Sequence, residues 1–267
     1  MIRQAVAAGS FYADDPAQLL EDVQHLLQTD QLPQSAKAII APHAGYIFSG
    51  ALAGELIATT QIPNTVLMLG PNHHGTGQSI AVSAAESWDT PLGSVPIADP
   101  LRCQLFEVIT DLHIDESAHQ FEHSLEVMLP LLLNCQPDLQ IVPIALRSLS
   151  LDSCLQLGAE IAAVLKKCSE DVLLLASSDM NHFLDATTTE QLDGLAIEKM
   201  IDFDPSGLYR TVTTNRISMC GVLPAVVVMQ AAKELGAQQC RLLRHTHSGM
   251  VNGDNNRVVG YAALTIT

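Results

Sequence analysis

Three apolar, strand-like runs of this chain each end directly at side chains that bind metals or transfer protons. The runs cover residues 37–41, 65–69 and 171–176. In an open α/β sheet, ligands bind in the crevice beyond the carboxyl ends of the strands. If the three runs form neighbouring parallel strands, one rim of the sheet collects the five polar side chains that follow them. These side chains are His43, His73, His74, Asp179 and His182. The sequence therefore predicts a metal centre at that rim.

Strand-like runs alternate with helical patterns along most of the 267 residues. A helix is predicted over 152–167, for example, between strands at 140–146 and 171–176. This alternation is typical of an α/β fold with a mostly parallel sheet and helices on both faces. No internal repeat, low-complexity tract or linker rich in Pro, Gly and Ser divides the chain. Residues 1–267 are therefore predicted to form a single domain.

The composition argues against several classes of function. Lys and Arg number 13 against 29 Asp and Glu, and the net charge of −16 would repel nucleic acid. No apolar stretch approaches the length of a membrane-spanning helix, and no basic region precedes an apolar run at the start. We therefore expect a soluble, cytoplasmic protein. Without a secretory context the six cysteines are predicted to be reduced. They form no Cys-x-x-Cys pair, so a zinc ribbon or an iron–sulfur cluster has no support.

Two histidine loops at one rim supply two candidate metal ligands, because neutral imidazole is the commonest protein ligand for metals. Taken alone, His43 also fits a structural histidine that hydrogen-bonds a neighbouring loop. His73 and His74 are adjacent, and adjacent residues in an extended loop point in opposite directions. Only one of His73 and His74 is therefore expected to bind metal.

Cys220 differs from the other cysteines because it lies just ahead of an apolar helix that begins near Gly221. Amide donors and the helix dipole at such a place favour the thiolate, which binds metals. A buried structural cysteine beside a turn is an equally good interpretation. Asp179 and His182 can form a carboxylate–imidazole pair that acts as a general base or supports the metal. Asp179 can instead be a helix cap.

The segment around residue 122 allows two interpretations. Residues 122–126 are predicted to open a helix, with Glu122 and Glu126 on one helical face. Glu122 then fits an ordinary partner of the helix dipole, and His123 is the residue with the better functional prospects. Residues 119–123, His-Gln-Phe-Glu-His, also match the His-x-x-Glu-His pattern of inverted zinc peptidases. That pattern requires a continuous helix through His119 and a further carboxylate ligand, and the sequence marks neither.

Seven ordered motifs together resemble the Memo family, whose prokaryotic members are also called AmmeMemoRadiSam system protein B. The motifs are Ala7-Ala-Gly-Ser-Phe-Tyr12, Ala41-Pro-His-Ala-Gly-Tyr46, Leu69-Gly-Pro-Asn-His-His74, Glu122-His-Ser-Leu-Glu126, Ser177-Ser-Asp179 with His182, Cys220-Gly221 and Val259-Gly-Tyr-Ala-Ala263. The resemblance implies the fold of the class III extradiol dioxygenases, in which two histidines and a glutamate hold ferrous iron. A further histidine serves those dioxygenases as the acid–base catalyst.

The resemblance also implies roles for individual residues. His43 and His73 match the two histidine ligands, His182 matches the acid–base histidine, and Cys220 stands at the position of the carboxylate ligand. Asp179 and His123 are implied to line the pocket. Iron as Fe²⁺ is the implied metal, and the thiolate of Cys220 shifts the preference toward copper or zinc. The resemblance further implies that animal members bind phosphotyrosine-type peptides near the positions of Phe11 and Tyr46.

Three functional hypotheses follow from the sequence. The first is a metal-binding protein with redox or dioxygenase-type chemistry in a pocket made by His43, His73 and Cys220. The second is a non-catalytic binding module that takes a small molecule or a peptide, or that serves as partner to a radical SAM enzyme. The third is the zinc peptidase that the pattern at residues 119–123 suggests.

Overall fold

The computed structural model describes residues 1–267, and twelve strands and nine helices alternate along it. The strands are β1 Ile2–Arg3, β2 Ala38–Ala41, β3 Thr65–Pro71, β4 Ile80–Val82, β5 Ser87–Thr90, β6 Gly93–Pro96, β7 His113–Ile114, β8 Gln140–Leu146, β9 Val172–Ser177, β10 His182–Leu184, β11 Cys240–His247 and β12 Val258–Ile266. The helices are α1 Pro16–Leu26, α2 Ala51–Ala58, α3 Asp99–Val108, α4 Leu129–Cys135, α5 Leu151–Leu165, α6 Ala186–Ile201, α7 Pro205–Thr214, α8 Val222–Glu234 and α9 Gly249–Asn252. None of the helices combines the length and the apolar character that a membrane crossing requires.

Nine strands form one large sheet in the order β10-β12-β2-β9-β3-β8-β4-β7, with β11 also paired to β12. The four central strands β2, β9, β3 and β8 run parallel. The three strand-like runs that the sequence singled out are thus β2, β9 and β3, and they are direct neighbours. Ala41 at the end of β2 lies opposite Ser177 at the end of β9, so the loops that follow these strands leave from the same rim.

Toward its edges the sheet becomes mixed. β12 runs antiparallel to both β2 and β11, and β4 runs antiparallel to β8. A separate three-stranded sheet joins β1 at the N-terminus to the hairpin of β5 and β6. The prediction of an α/β fold with helices on both faces is confirmed, and the parallel arrangement holds for the centre of the sheet, where the strands are buried from both sides.

Alternate residues of the central strands pack into two different hydrophobic cores. Ile40 belongs to the core that contains α3, α5, α6, α7 and α8, whereas its neighbour Ile39 belongs to the core that contains α1, α2 and α4. Successive side chains of a strand point to opposite faces, so a strand that is apolar at every position must be covered on both sides. Several helices begin at an acidic cap. In α1, the Asp15 side chain accepts a hydrogen bond from the amide of Gln18.

Two local predictions near the rim are wrong. Residues 122–126 were expected to open a helix, but Glu122 lies in an irregular turn, a short 3₁₀ turn covers Glu126–Met128, and α4 begins at Leu129. Asp179 was considered as a helix cap, but it lies in an irregular segment between β9 and β10. Both segments are irregular where they pass the rim, and their polar groups are used for contacts between loops rather than within a helix.

Candidate metal centre at the rim of the parallel sheet

His43 lies two residues beyond β2 and is 2% exposed. Its Nδ1 is 2.6 Å from Ser177 Oγ, and this hydroxyl donates its own hydrogen to the carbonyl oxygen of Ser124 at 2.7 Å. Because the hydroxyl hydrogen is already used, Nδ1 of His43 must be the donor, which leaves the lone pair on Nε2. Burial lowers the pKa of His43 to about 3, and the neighbouring His73 adds to this effect. The ring is therefore neutral at neutral pH.

His73 follows β3 and is oriented by Glu122. The Glu122 carboxylate accepts hydrogen bonds from the His73 amide at 2.6 Å, from His73 Nδ1 at 2.9 Å and from the Ser124 amide at 2.9 Å. Burial acts to raise the pKa of Glu122, but the bonds from His73 and Ser124 outweigh it and hold that pKa at about 2. An ionised carboxylate fixes the proton on Nδ1 of His73, so Nε2 again carries the lone pair that can bind a metal.

His123 completes a group of three imidazoles. The candidate ligand atoms of His43, His73 and His123 lie within 4.8 Å of one another, so these three residues can hold a metal ion. The His123 ring stacks on His73, with 4.8 Å between centroids and 16° between planes, and on Phe11 at 4.2 Å. The His43 ring is almost perpendicular to both histidines. Burial lowers the pKa of His123 to about 4, with His43 contributing, so this ring is neutral as well.

Cys220, from the C-terminal third of the chain, also lies beside His43. Its Sγ lies 3.4 Å from Nε2 of His43 and accepts a hydrogen bond from the amide of Asp179 at 3.2 Å. Burial, and then the charge of Asp179, raise the pKa of the Cys220 thiol above its ordinary value. Gly221 allows this close approach, because a side chain there would collide with the carbonyl oxygen of Ser177 and with Ser178.

Asp179 and His182 lie near His43 and Cys220. Oδ1 of Asp179 accepts hydrogen bonds from the amides of His43 at 2.8 Å and Ala44 at 3.3 Å, and burial raises the pKa of this carboxyl. Nδ1 of His182 is 2.8 Å from the carbonyl oxygen of Ser218, which can only accept, so Nε2 of His182 is the free nitrogen.

Two other histidines are not part of this group. His74 turns away from the pocket toward Phe121, with 6.3 Å between ring centroids, as the alternation of an extended loop predicted. His119 is fully buried, lies edge-on to Trp88, and has its Nε2 3.0 Å from the carbonyl oxygen of Ala81. The zinc peptidase hypothesis is therefore wrong, because no continuous helix carries His119 and His123 and the two rings point into different surroundings.

The role of Glu122 was not predicted from the sequence, which favoured an ordinary partner for a helix dipole. A signal was available in the chemistry of the rim, because two buried histidines that bind a metal need carboxylates or carbonyl oxygens to orient them. His123 was expected to line a pocket, and in the structure its ring lies beside those of His43 and His73.

Comparison with known proteins decides the family. The model of a family described as Memo-like protein matches residues 3–265. This chain belongs to the Memo family. Similar relatives include MEMO1 family proteins from Ignicoccus hospitalis, 36% identical over 99% of this chain and 98% of the relative, and from Aquifex aeolicus, 36% identical over 98% of both. A MEMO1 family protein from Methanosarcina barkeri is 34% identical over 99% of this chain and its own full length.

The fold of this Memo family member is also similar to a crystal structure described as uncharacterized protein JW3007 from Escherichia coli K12. The two structures have a TM-score of 0.61 at 16% sequence identity, and the match covers 86% of this chain and 99% of the other. At this identity the similarity shows the shared fold alone. The chemistry of the pocket must be argued from the residues of this chain.

Proposed function

We propose that this protein binds one transition-metal ion, with Fe²⁺ preferred over copper or zinc, through His43, His73 and Cys220. The observation that carries the proposal is the fixed orientation of the two imidazoles. Each keeps its proton on Nδ1 because an oxygen atom of the protein accepts it, Ser177 Oγ for His43 and the Glu122 carboxylate for His73. Each Nε2 thereby carries the lone pair through which the ring would bind a metal.

Cys220 is the third ligand in this proposal because of its distance from His43. Metal–nitrogen and metal–sulfur bonds of about 2.1 and 2.3 Å, at an angle between 90° and the tetrahedral value, separate the two donor atoms by about 3.1–3.6 Å. The observed separation of Sγ and Nε2 is 3.4 Å. A pair of imidazoles and a thiolate is a donor set that suits iron, copper(I) and zinc.

His123 is less suited to share an ion with His73. An imidazole binds a metal in the plane of its own ring, and the His73 and His123 rings are nearly parallel and stacked at 4.8 Å. An ion in the plane of one ring therefore lies outside the plane of the other. We assign His123 to the pocket wall, where it presents a neutral ring and a hydrogen-bonding nitrogen to a ligand.

His182 is the proposed acid–base residue, and Asp179 supports it. The free Nε2 of His182 can accept or return a proton, while its Nδ1 is held by Ser218. A bound metal would supply the redox or dioxygenase-type chemistry. Asp179 holds the backbone of His43 and Ala44 in place through its carboxylate, and its amide donates a hydrogen bond to Cys220 Sγ. The proposed occupant is a small molecule or a peptide, in a cytoplasmic protein.

Metal analysis of the protein after anaerobic purification tests the metal proposal. We expect one equivalent of metal in the wild type, loss of most of it in His43→Ala and in Cys220→Ser, and near-normal content in His123→Gln. Titration with Co²⁺ adds a spectroscopic readout, because a sulfur-to-cobalt charge-transfer band must appear in the wild type and in His123→Gln. Metal content that is equal in the wild type, His43→Ala and Cys220→Ser would refute the proposal. A band that survives Cys220→Ser would assign the third position to another residue.

Oxygen uptake with a panel of catechols separates catalysis from binding. We expect uptake by the Fe²⁺ form and none by His182→Gln with normal metal content. A metal-loaded protein that consumes no oxygen, yet retains a radical SAM protein in a pull-down, would instead support the non-catalytic binding module.

A further inference from the structure

The first twelve residues, which we call the N-terminal segment, are held by one buried carboxylate. Glu126 is fully buried, and it accepts hydrogen bonds from the amides of Val6 and Ala7 at 2.8–3.0 Å and from the hydroxyl of Tyr12 at 2.5 Å. A buried carboxylate needs this number of donors to offset the loss of water. The N-terminal segment therefore surrounds Glu126 instead of lying loosely on the surface.

Arg3 joins the same carboxylate to the loop that carries the pocket residues. We call residues 119–126 the pocket loop. The Arg3 guanidinium, 3% exposed, pairs with Glu126 at 2.7 Å, and it donates to the carbonyl oxygens of His119 at 2.8 Å and Glu122 at 2.5 Å. Its carbon Cζ lies 4.1 Å from the centre of the Trp88 ring. The planar fork of arginine thus fixes the backbone of the pocket loop at two points.

The pocket loop meets the candidate metal centre on its other side. The Glu122 side chain orients His73, whose amide and Nδ1 both donate to it. His123, the next residue, stacks on Phe11 of the N-terminal segment at 4.2 Å. The N-terminal segment therefore touches the pocket twice, once through the Glu122 backbone and once through the His123 ring.

We propose that Arg3 and Glu126 are positioning residues that couple the order of the N-terminal segment to metal binding in the pocket. The inference rests on the proposed metal site, because the coupling acts on His73 through Glu122. When Arg3 holds the Glu122 carbonyl, the carboxylate of Glu122 is in place to keep His73 in its ligand orientation. Coupling between two sites is reciprocal, so a bound metal must in turn stabilise the N-terminal segment.

A contribution to stability does not by itself explain why the buried residues Arg3 and Glu126 are a charged pair. Buried ion pairs are often replaced by apolar residues without loss of stability, so Arg3 and Glu126 are weak candidates for a purely stabilising role. What an apolar pair would lose is the set of directional bonds from one guanidinium to Glu126, His119 and Glu122. The metal affinity of a variant therefore tests the positioning role of Arg3 and Glu126, whereas its thermal stability does not.

Zn²⁺ titration of the full-length protein by calorimetry tests the forward direction. The variants are Arg3→Lys, which keeps the charge but cannot form the same fork, and Glu126→Gln, which keeps the shape. Arg244→Lys is the matched control, because Arg244 pairs with Glu55 on the surface and has no contact with the pocket loop. We expect Arg3→Lys and Glu126→Gln to weaken Zn²⁺ binding about tenfold, the lower end of the range for residues that orient a ligand. The control should bind as the wild type does.

Amide hydrogen exchange followed by NMR tests the reverse direction. Zn²⁺ should slow the exchange of the Val6 and Ala7 amides, which donate to Glu126, and Arg3→Lys should remove this protection. Without metal, Arg3→Lys should already speed exchange at the His73 and Ser124 amides, which donate to Glu122. Wild-type affinity in both variants, with no metal-dependent protection of Val6 and Ala7, would overturn the coupling. A wild-type protein that binds no Zn²⁺, Fe²⁺ or Cu⁺ would instead overturn the proposed function, and the exchange at His73 without metal would still show whether Arg3 holds Glu122.

Discussion

The two halves of the pocket differ in how far they are prepared for a metal ion. On one side, an acceptor oxygen holds the Nδ1 proton of both His43 and His73, and the lowered pKa of His43 keeps its ring neutral. On the other side, burial raises the pKa of both the Cys220 thiol and the Asp179 carboxyl. The imidazole half can bind a metal as it stands, whereas the thiol half must first release a proton.

This difference follows from the partners that each half has. Ser177 and Glu122 accept hydrogen bonds and so set the tautomer of a histidine without adding a cation. Around Cys220 the nearest charged neighbour is the acidic Asp179, which opposes a thiolate, and no Lys or Arg side chain compensates. A divalent ion would supply the missing positive charge and would favour the ionised thiol. The two halves therefore predict separable effects of substitution and of pH.

Removing the Glu122 carboxylate should produce the largest effect on the prepared half. In Glu122→Ala, His73 loses the acceptor of its Nδ1 proton and of its amide, so the ring is free to change tautomer and to rotate. We expect the dissociation constant for Zn²⁺ to rise about 10–100-fold, as found for residues that orient metal ligands. Calorimetric titration measures this, with Glu55→Ala, on the surface of α2, as the control. Unchanged affinity would show that His73 needs no support.

The pH dependence of binding should identify the half that must ionise. The pKa values of His43 and His123 are lowered to about 3 and 4, so near neutral pH these rings have no proton to lose. The raised pKa of Cys220 means that a metal ion displaces one proton from the thiol, so Zn²⁺ affinity should rise with pH, by up to about tenfold per unit between about pH 6 and pH 8. Titrations in buffers of different ionisation enthalpy count the released proton directly. Cys220→Ser should abolish the slope, and a slope that persisted would place the ionisation elsewhere.

Loss of the Ser177 hydroxyl should have a smaller effect on His43. In Ser177→Ala the Nδ1 proton of His43 loses its acceptor, but the ring stays enclosed by the end of β9 and by Cys220. One hydrogen bond contributes about 1 kcal/mol, which corresponds to about fivefold weaker Zn²⁺ binding. Ser178→Ala is the control next in sequence, because its hydroxyl serves the Gly221 amide and not a histidine. An equal loss in the two variants would indicate a general disturbance of the rim.

His119 should have no effect on the metal at all. His119→Gln removes a buried ring that packs against Trp88 and bonds the carbonyl of Ala81, so we expect the free energy of unfolding to fall by about 1–3 kcal/mol. The metal content of the folded protein should equal that of the wild type. Denaturant unfolding and metal analysis on the same preparation check both statements. Metal loss in this variant without unfolding would revive the inverted zinc peptidase pattern.

The predictions from the sequence agree best with the structure where they depend on residues that are close together in the chain. β2 is apolar at every position, and β3 and β9 are so except at Thr65 and Ser177; such runs form buried parallel strands whose ends share a rim. This reasoning placed His43, His73 and His182 at one rim and turned His74 away from His73. It was insufficient for residues 122–126, where helical spacing suggested a helix. The Glu126 side chain in this segment is bound by Arg3, Val6 and Tyr12, which come from more than a hundred residues earlier in the chain.

The sequence alone thus determined the α/β fold, its apolar central strands and the residues that follow them. Hydrophobic periodicity and the ends of strands can be recognised from residues that are close together in the sequence. The tertiary structure decided the rest: that the Cys220 sulfur lies beside His43, that Glu122 orients His73, and that Arg3 and Glu126 join the N-terminal segment to the pocket loop. These contacts join positions 49 to 177 residues apart. The pairing of such distant groups depends on strand order and on the burial of charge, and local patterns of residues carry neither.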